Sequence, residues 1–275
     1  MSLVDRRPPT QAEYDLFPSR FSNWGRWPDR PELGALNFIT PEARVRAVGL
    51  VEEGAVVSLG RPIDTVASPA NPYPAHHLVA VEGAGGPRDY IGMFIHGHTQ
   101  THVDALAHIA TSDGRTWDGK PMGANGMPVE HSGTIDFWRE GIVTRGVLYD
   151  VPRFRGSESV IPGSPVHGWE LEAIAATQGV EPRSGDAAVI RSGAAPYWQA
   201  RPDEPRTYGS VAGLHASCIE YLHEQEVSSV VWDFQDAPTE DQGIDSPIPP
   251  HSVHLHAILI PHMGVGIVDN AELEE

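Results

Sequence analysis

A single cysteine, Cys218, occurs in the 275-residue chain. This excludes an intrachain disulfide and leaves no CxxC pair for metal or redox chemistry. Basic residues are scarce: 19 Lys and Arg stand against 37 Asp and Glu, a formal charge of −18. A surface that negative repels phosphate and anionic lipid, which argues against nucleic acid or a membrane surface and for a small-molecule partner. Long apolar runs are missing too. No window approaches the roughly 18 uninterrupted apolar residues of a membrane span, and the stretch AILIPHMGVGIV is broken by Pro261 and His262. The opening MSLVDRRPPTQAEYDLFPSR lacks the apolar core of a secretory signal, so a cytoplasmic, reducing setting is expected. HExxH, GxSxG and Walker motifs are absent, and GAGG at 83–86 runs into Pro87 rather than a helix, which argues against a nucleotide loop.

Glycine and proline, at 28 and 25 residues, are plentiful and imply many turns and short elements. Residues 1–30 are polar and proline-rich, with Trp24 and Trp27 suited to fold onto the body or onto another subunit. With no repeat or linker beyond them, the expected organisation is an N-terminal arm (1–30) and one domain (31–275). Val45, Val48, Leu50 and Val51 give a helical stripe over 41–54, with Gly54 as its C-terminal cap. VVSLGRPI (56–63) reads as a strand, 67–77 as a long loop holding His76 and His77, and ALAHIA (105–110) as helix-compatible. Apolar β-rich runs at 141–153, 187–193 and 228–234 alternate with amphipathic helical patterns at 169–179 and 215–227. Residues 254–270 start helical and end as a strand. Such alternation predicts a mixed α/β domain.

Histidine carries the chemistry. The chain has 14, yet residues 96–108 hold His96, His98, His102 and His108, and residues 251–262 hold His251, His254, His256 and His262. Two clusters so far apart suit a metal site assembled from two chain segments. The first reads His98-x3-His102-x-Asp104-x3-His108, and imidazole with carboxylate ligates zinc, manganese or iron in hydrolytic and oxidative sites. His102 and Asp104, two residues apart, share one side of an extended segment, while Asp104 and His108 share one side of a helical turn. A strand turning into a helix would converge them.

THVDALAH resembles the signature of the cyclase family of metal-dependent hydrolases, roughly H-x-G-T-H-x-D-x-x-x-H, which includes bacterial kynurenine formamidases and isatin hydrolases. The blocks NWGRWPDRPELGALNFITPE, RGVLYDVPR, GLHASCIEYLHEQEV and HMGVGIVDN resemble other parts of that family. The resemblance implies a swivelling β/β/α fold, a mixed sheet with flanking helices. It implies hydrolysis of an amide, lactam or lactone with Mn2+ or Zn2+, in a homodimer or homotetramer. It places His98, His102 and Asp104 on the metal ligands and His108 on the acid/base or a second metal. His256 and Asp269 fall near the residues completing that second site. Two departures stand out: Gln100 replaces the family's glycine, and the extra His96 competes with His98 as first ligand.

Two other functional classes fit the same residues. A non-haem iron oxygenase would use His102, Asp104 and His256 as a 2-His-1-carboxylate set. Its oxoglutarate form needs an arginine after the distal histidine, and none follows Arg206. A non-catalytic metal-binding protein is the third class. Asp233, Gln235 and Asp236, at the end of an apolar strand, suit ligand orientation, substrate binding or a loop cap equally. His215 suits a helix cap or the site, Trp117 a place near the pocket, and Arg191 or Arg115 a substrate carboxylate.

Overall fold

The computed structural model describes residues 6–81, 83, 85–124, 126–129, 132–206 and 212–274. In chain order its principal elements are α1 (Gln11–Tyr14), α2 (Phe17–Arg20), α3 (Pro41–Val48), β1 (His76–Val81), β2 (Pro87–Gly92), β3 (His102–Asp104) and β4 (Gly146–Asp150). These are followed by α4 (Val151–Arg155), α5 (Gly168–Gln178), β5 (Ala187–Arg191), α6 (Ala194–Gln199), α7 (Cys218–Glu224), β6 (Ser229–Trp232), α8 (Thr239–Gln242), α9 (His256–Ile258) and β7 (Gly266–Asp269).

Five strands form a mixed sheet in the order β3-β7-β6-β5-β4. Strands β4 to β7 run parallel, and β3 pairs antiparallel to β7 at one edge. The central strand β6, Ser-Val-Val-Trp, is buried at every position, as a strand covered on both faces must be. Edge strand β4 alternates instead, burying Val147 and Tyr149 while Leu148 faces out. Helices α5 and α7 pack together, and Leu171, Ile174, Ile219 and Leu222 meet Val230, Trp232 and Ile267 in the main core. Gly179 ends α5 in the left-handed conformation that a glycine adopts without a Cβ penalty.

Residues 6–30 are anchored on their own chain. Tyr14, Phe17 and Phe21 insert into the main core, and the Tyr14 hydroxyl donates to the His254 carbonyl at 2.7 Å. Trp24 stacks on His262, with ring centroids 5.3 Å apart, and its indole N–H donates to Pro261 O at 2.6 Å. A second apolar cluster joins Leu33, Leu36, Leu106, Trp117 and Trp138. There Gly264 sits at φ +69°, and a Cβ on it would lie 2.6 Å from the Trp117 ring.

Several local expectations are corrected. Helix α3 stops at Gly49 rather than Gly54, and Val45, Val48, Leu50 and Val51 face outward while Ala43 is its buried residue. Residues 56–63 form no strand, and Val56 is 94% exposed. His76 and His77 lie on β1 rather than in a loop, and His77 meets Asp89 of β2 at 2.6 Å. ALAHIA makes a turn, not a helix: Ala107 N–H donates to Gly133 O, and His108 N–H to Ala105 O, each at 2.9 Å. Trp117 is fully buried and donates to Pro31 O, so it is core.

Candidate metal centre

Strand register builds the site. His102 and Asp104 alternate onto one face of β3, and His102 lies directly opposite Asp269 of β7, which puts their side chains on the same face of the sheet. Both His102 and Asp104 are buried while Val103 between them is not. The turn after β3 returns His108 to Asp104, whose Oδ1 lies 3.7 Å from its Nε2. His256 enters from the start of α9, its Nε2 3.4 Å from Asp104 Oδ2 and 3.5 Å from Asp269 Oδ2.

Among the described residues, two groups bring ligand atoms within 4.8 Å of one another: His96, His102 and Asp104; and Asp104, His256 and Asp269. Asp104 is common to both. Its Oδ1 lies 2.8 Å from His96 Nδ1 and 3.5 Å from His102 Nε2, and its Oδ2 is buried without a hydrogen bond. A buried carboxylate oxygen without a hydrogen bond is costly unless positive charge, from His256 or a metal ion, stands next to it. Imidazole and carboxylate at this spacing form a donor set that fits a divalent metal. Burial alone would raise the Asp104 pKa, but the imidazoles of His256, His96 and His108 hold it well below the usual carboxylate range. Burial likewise opposes charge on His256, yet Asp236, Asp104 and Asp269 push its pKa well up, so the carboxylates draw a cation to that point.

Neighbouring groups fix which ring nitrogen faces inward. His102 Nδ1–H donates to the Gln100 carbonyl at 2.9 Å, directing Nε2 to the cluster. His256 Nδ1–H donates to Asp236 Oδ2 at 2.5 Å, directing Nε2 likewise. Asp236 also accepts from Leu255 N–H, and Asp269 accepts from the Trp232 indole and, at 2.8 Å, from Gln235 Nε2. These are the outer-shell partners that orient metal-ligating histidines and carboxylates. The end of β6 therefore supplies positioning groups at Gln235 and Asp236. Asp233 is a cap: its carboxylate accepts from Ser192, Gly193, Ala194 and Phe234 N–H, tying β6 to the start of α6.

His98 lies outside both groups, on a cavity wall with Trp198, Arg206, Gln235 and Asn270. Burial lowers its pKa to about 4. His96 takes the inner place and stacks on His108 at 3.8 Å between ring centroids. The loop that sets this is held by Asn270, whose Nδ2 donates to Gly97 O at 2.7 Å and Gln100 O at 3.1 Å. Gln100 thus serves through its carbonyl, while its buried side-chain amide has no hydrogen-bond partner. Burial lowers the His108 pKa to about 4, so the ring is neutral at pH 7.

Of the second histidine cluster, His256 alone belongs to either group; His254 faces Ile244 O at 3.2 Å, and His262 stacks under Trp24. His215 is a buried cap, accepting from Ser217 N–H and donating to Gln242 O at 3.0 Å. Arg191 is engaged by Asp150 at 2.7 Å and Glu274 at 2.6 Å, and Arg115 by Asp113 at 3.0 Å. Neither arginine lines the two cavities walled by Trp198, which carry Arg61 and Arg206 instead.

Known structures share this architecture. The crystal structure of a novel cyclase superposes with a TM-score of 0.74 at 26% identity, covering 94% of this chain and 87% of its own. Isatin hydrolase A from Ralstonia solanacearum gives 0.53 at 18% identity over 82% and 83% of the two chains. Isatin hydrolase A from Labrenzia aggregata gives 0.54 at 17% over 84% and 86%. No curated protein matches the chain in sequence. The family model described as "Putative cyclase" matches residues 40–237, most of the chain and all of β3 to β6. With the mixed sheet and the His-x3-His-x-Asp-x3-His run on its edge strand, the chain belongs to the cyclase family.

Proposed function

We propose that the protein is a metal-dependent hydrolase that opens an amide, lactam or lactone of a small molecule. The observation that carries this reading is Asp104, buried and shared by two histidine-bearing ligand groups, its Oδ2 without a hydrogen bond and 3.4 Å from His256 Nε2. The family match and the isatin hydrolase fold neighbours support it. His96, His102 and Asp104 would hold one Mn2+ or Zn2+, with His256 and Asp269 as further ligands toward a second. A divalent ion there would lower the pKa of water toward about 7 and polarise a carbonyl oxygen.

The chain's own residues divide the remaining work. Asp236 and the Gln100 carbonyl hold the protons on Nδ1 of His256 and His102, keeping each Nε2 lone pair inward. Gln235 and Trp232 fix the Asp269 carboxylate. Neutral His108, a quarter exposed beside Asp104, takes a proton from attacking water and returns it to the leaving nitrogen. The test is turnover of isatin and formanilide by Mn- and Zn-loaded protein against His108→Gln. Hydrolysis lowered 10²–10⁴-fold in the variant supports the reading; no hydrolysis of either, by protein carrying metal, counts against it.

We infer a homo-oligomer from the surface. A compact 29.8 kDa monomer exposes about 11,600 Å², and this chain exposes 14037 Å². Exposed apolar side chains cluster among the described residues between 45 and 95. There the β1–β2 hairpin exposes apolar side chains on both faces, and Phe94 is 76% exposed. An isolated two-stranded hairpin is marginal in water, so a second copy of the chain is the covering partner.

A further inference from the structure

A cavity of about 390 Å³ is bounded by Arg61, Trp198, Arg206 and Glu272. A much smaller space of about 20 Å³ shares Arg206 and Trp198 as lining residues and touches His98, Gln235 and Asn270. Gln235, which lines the smaller space, donates to Asp269, so the wall carrying Arg206 and Trp198 abuts the metal cluster. Two arginines on one cavity are conspicuous in a chain with 19 basic residues and a charge of −18.

Each guanidinium is held in place. Arg206 lies over the Trp198 ring with its Cζ 5.1 Å from the centroid, and its Nε is buried without a hydrogen-bond partner. Trp198 is fixed in turn by an aromatic cluster with Tyr197 and Phe234. Arg61 donates one Nη2 to the carbonyls of Asp233 and Ala271, at 3.3 and 3.4 Å. Among the described residues neither arginine forms an ion pair within 4.0 Å; at longer range Arg61 feels Asp233, Glu272, Asp269 and Glu274, and Arg206 feels Asp64. A stacked, planar guanidinium with an unfilled donor matches a carboxylate, and the adjoining indole matches a flat ring.

We propose that Arg206 and Arg61, with the Trp198 ring, form the subsite for a carboxylate carried on a flat, ring-bearing substrate. The anion is held here while the scissile bond reaches the metal cluster; that second half rests on the hydrolase reading.

Binding and turnover test the two halves separately. Sodium benzoate titrated calorimetrically into the metal-loaded protein reads the subsite without chemistry. Binding is expected, weakened tenfold or more in Arg206→Gln and Arg61→Gln, and only partly restored in Arg206→Lys, whose ammonium lacks the stacking plane. For turnover, 2-formamidobenzoate is compared with formanilide. The wild type is expected to prefer the carboxylate tenfold or more in kcat/KM, with that preference lost in Arg206→Gln through KM. Benzoate binding absent, or unchanged in both glutamine variants, overturns the subsite. Benzoate held through Arg206 with neither amide hydrolysed keeps the subsite and counts against the hydrolase reading. Formanilide hydrolysis with no benzoate binding does the reverse.

Discussion

Replacing Asp236 by Asn probes how the second ligand group is oriented. The substitution is isosteric, and its amide oxygen can still accept from Leu255 N–H. The amide NH2 then faces His256 Nδ1, which must become an acceptor, and the ring proton moves to Nε2. Nε2 is the atom 3.4 Å from Asp104 Oδ2 and 3.5 Å from Asp269 Oδ2, so a proton there occupies the direction a metal would use. Loss of an outer-shell carboxylate of this type weakens metal binding about 10–100-fold, or about 1.4–2.7 kcal/mol. The lost charge-assisted bond of about 1.5–3 kcal/mol also lowers the melting temperature by about 3–12 °C. Chelator-competition titration with Mn2+ and Zn2+, beside a melting curve, measures both effects. An Asp236→Asn protein that binds both metals as tightly as the wild type would refute the tautomer argument.

Other expectations are equally direct. His96→Ala is expected to reduce metal content measured by elemental mass spectrometry, whereas His98→Ala is expected to retain it; the opposite pattern would return His98 to the inner place. Burial, helped by the nearby His167 ring, lowers the His215 pKa from 6.5 to about 4. The folded state therefore resists the second ring proton more than the unfolded chain does, and its stability contribution, present above pH 6.5, is lost as pH falls toward 4. The loss amounts to about 3 kcal/mol, read as urea midpoints across that window and flattened in His215→Gln. Val79→Asp, on the exposed apolar hairpin, is expected to shift the wild-type oligomer to monomer in light scattering; a monomeric wild type would contradict the covering second copy.

The parts legible in the sequence were those whose own apolar pattern meets the core. The runs that became β5, β6, α5 and α7 bury their apolar residues against one another, so periodicity sufficed. Residues 41–63 carry an equally apolar pattern, but it faces outward, and hydrophobicity alone does not say which surface it serves. The turn at 105–108 was hidden because Gly133, distant in sequence, supplies the carbonyl that takes Ala107 N–H. His102, Asp104, His108, His256 and Asp269 were legible as a constellation, since strand alternation and two histidine clusters point to one place. That His96 rather than His98 falls within a candidate ligand group was not, because Asn270 sets the path of that loop from 170 residues away. Arg61 and Arg206, 145 positions apart, leave no spacing signal and meet only across the Trp198 wall.

The most direct measurement is the metal content of the purified protein by elemental mass spectrometry, wild type beside Asp104→Ala. Asp104 belongs to both ligand groups, so one or two Mn or Zn per chain are expected, all lost in the variant. Iron in their place would favour an oxygenase built on His102, Asp104 and His256. A wild type that takes up no metal after reconstitution with Mn2+, Zn2+ and Fe2+ would contradict the metal-dependent reading.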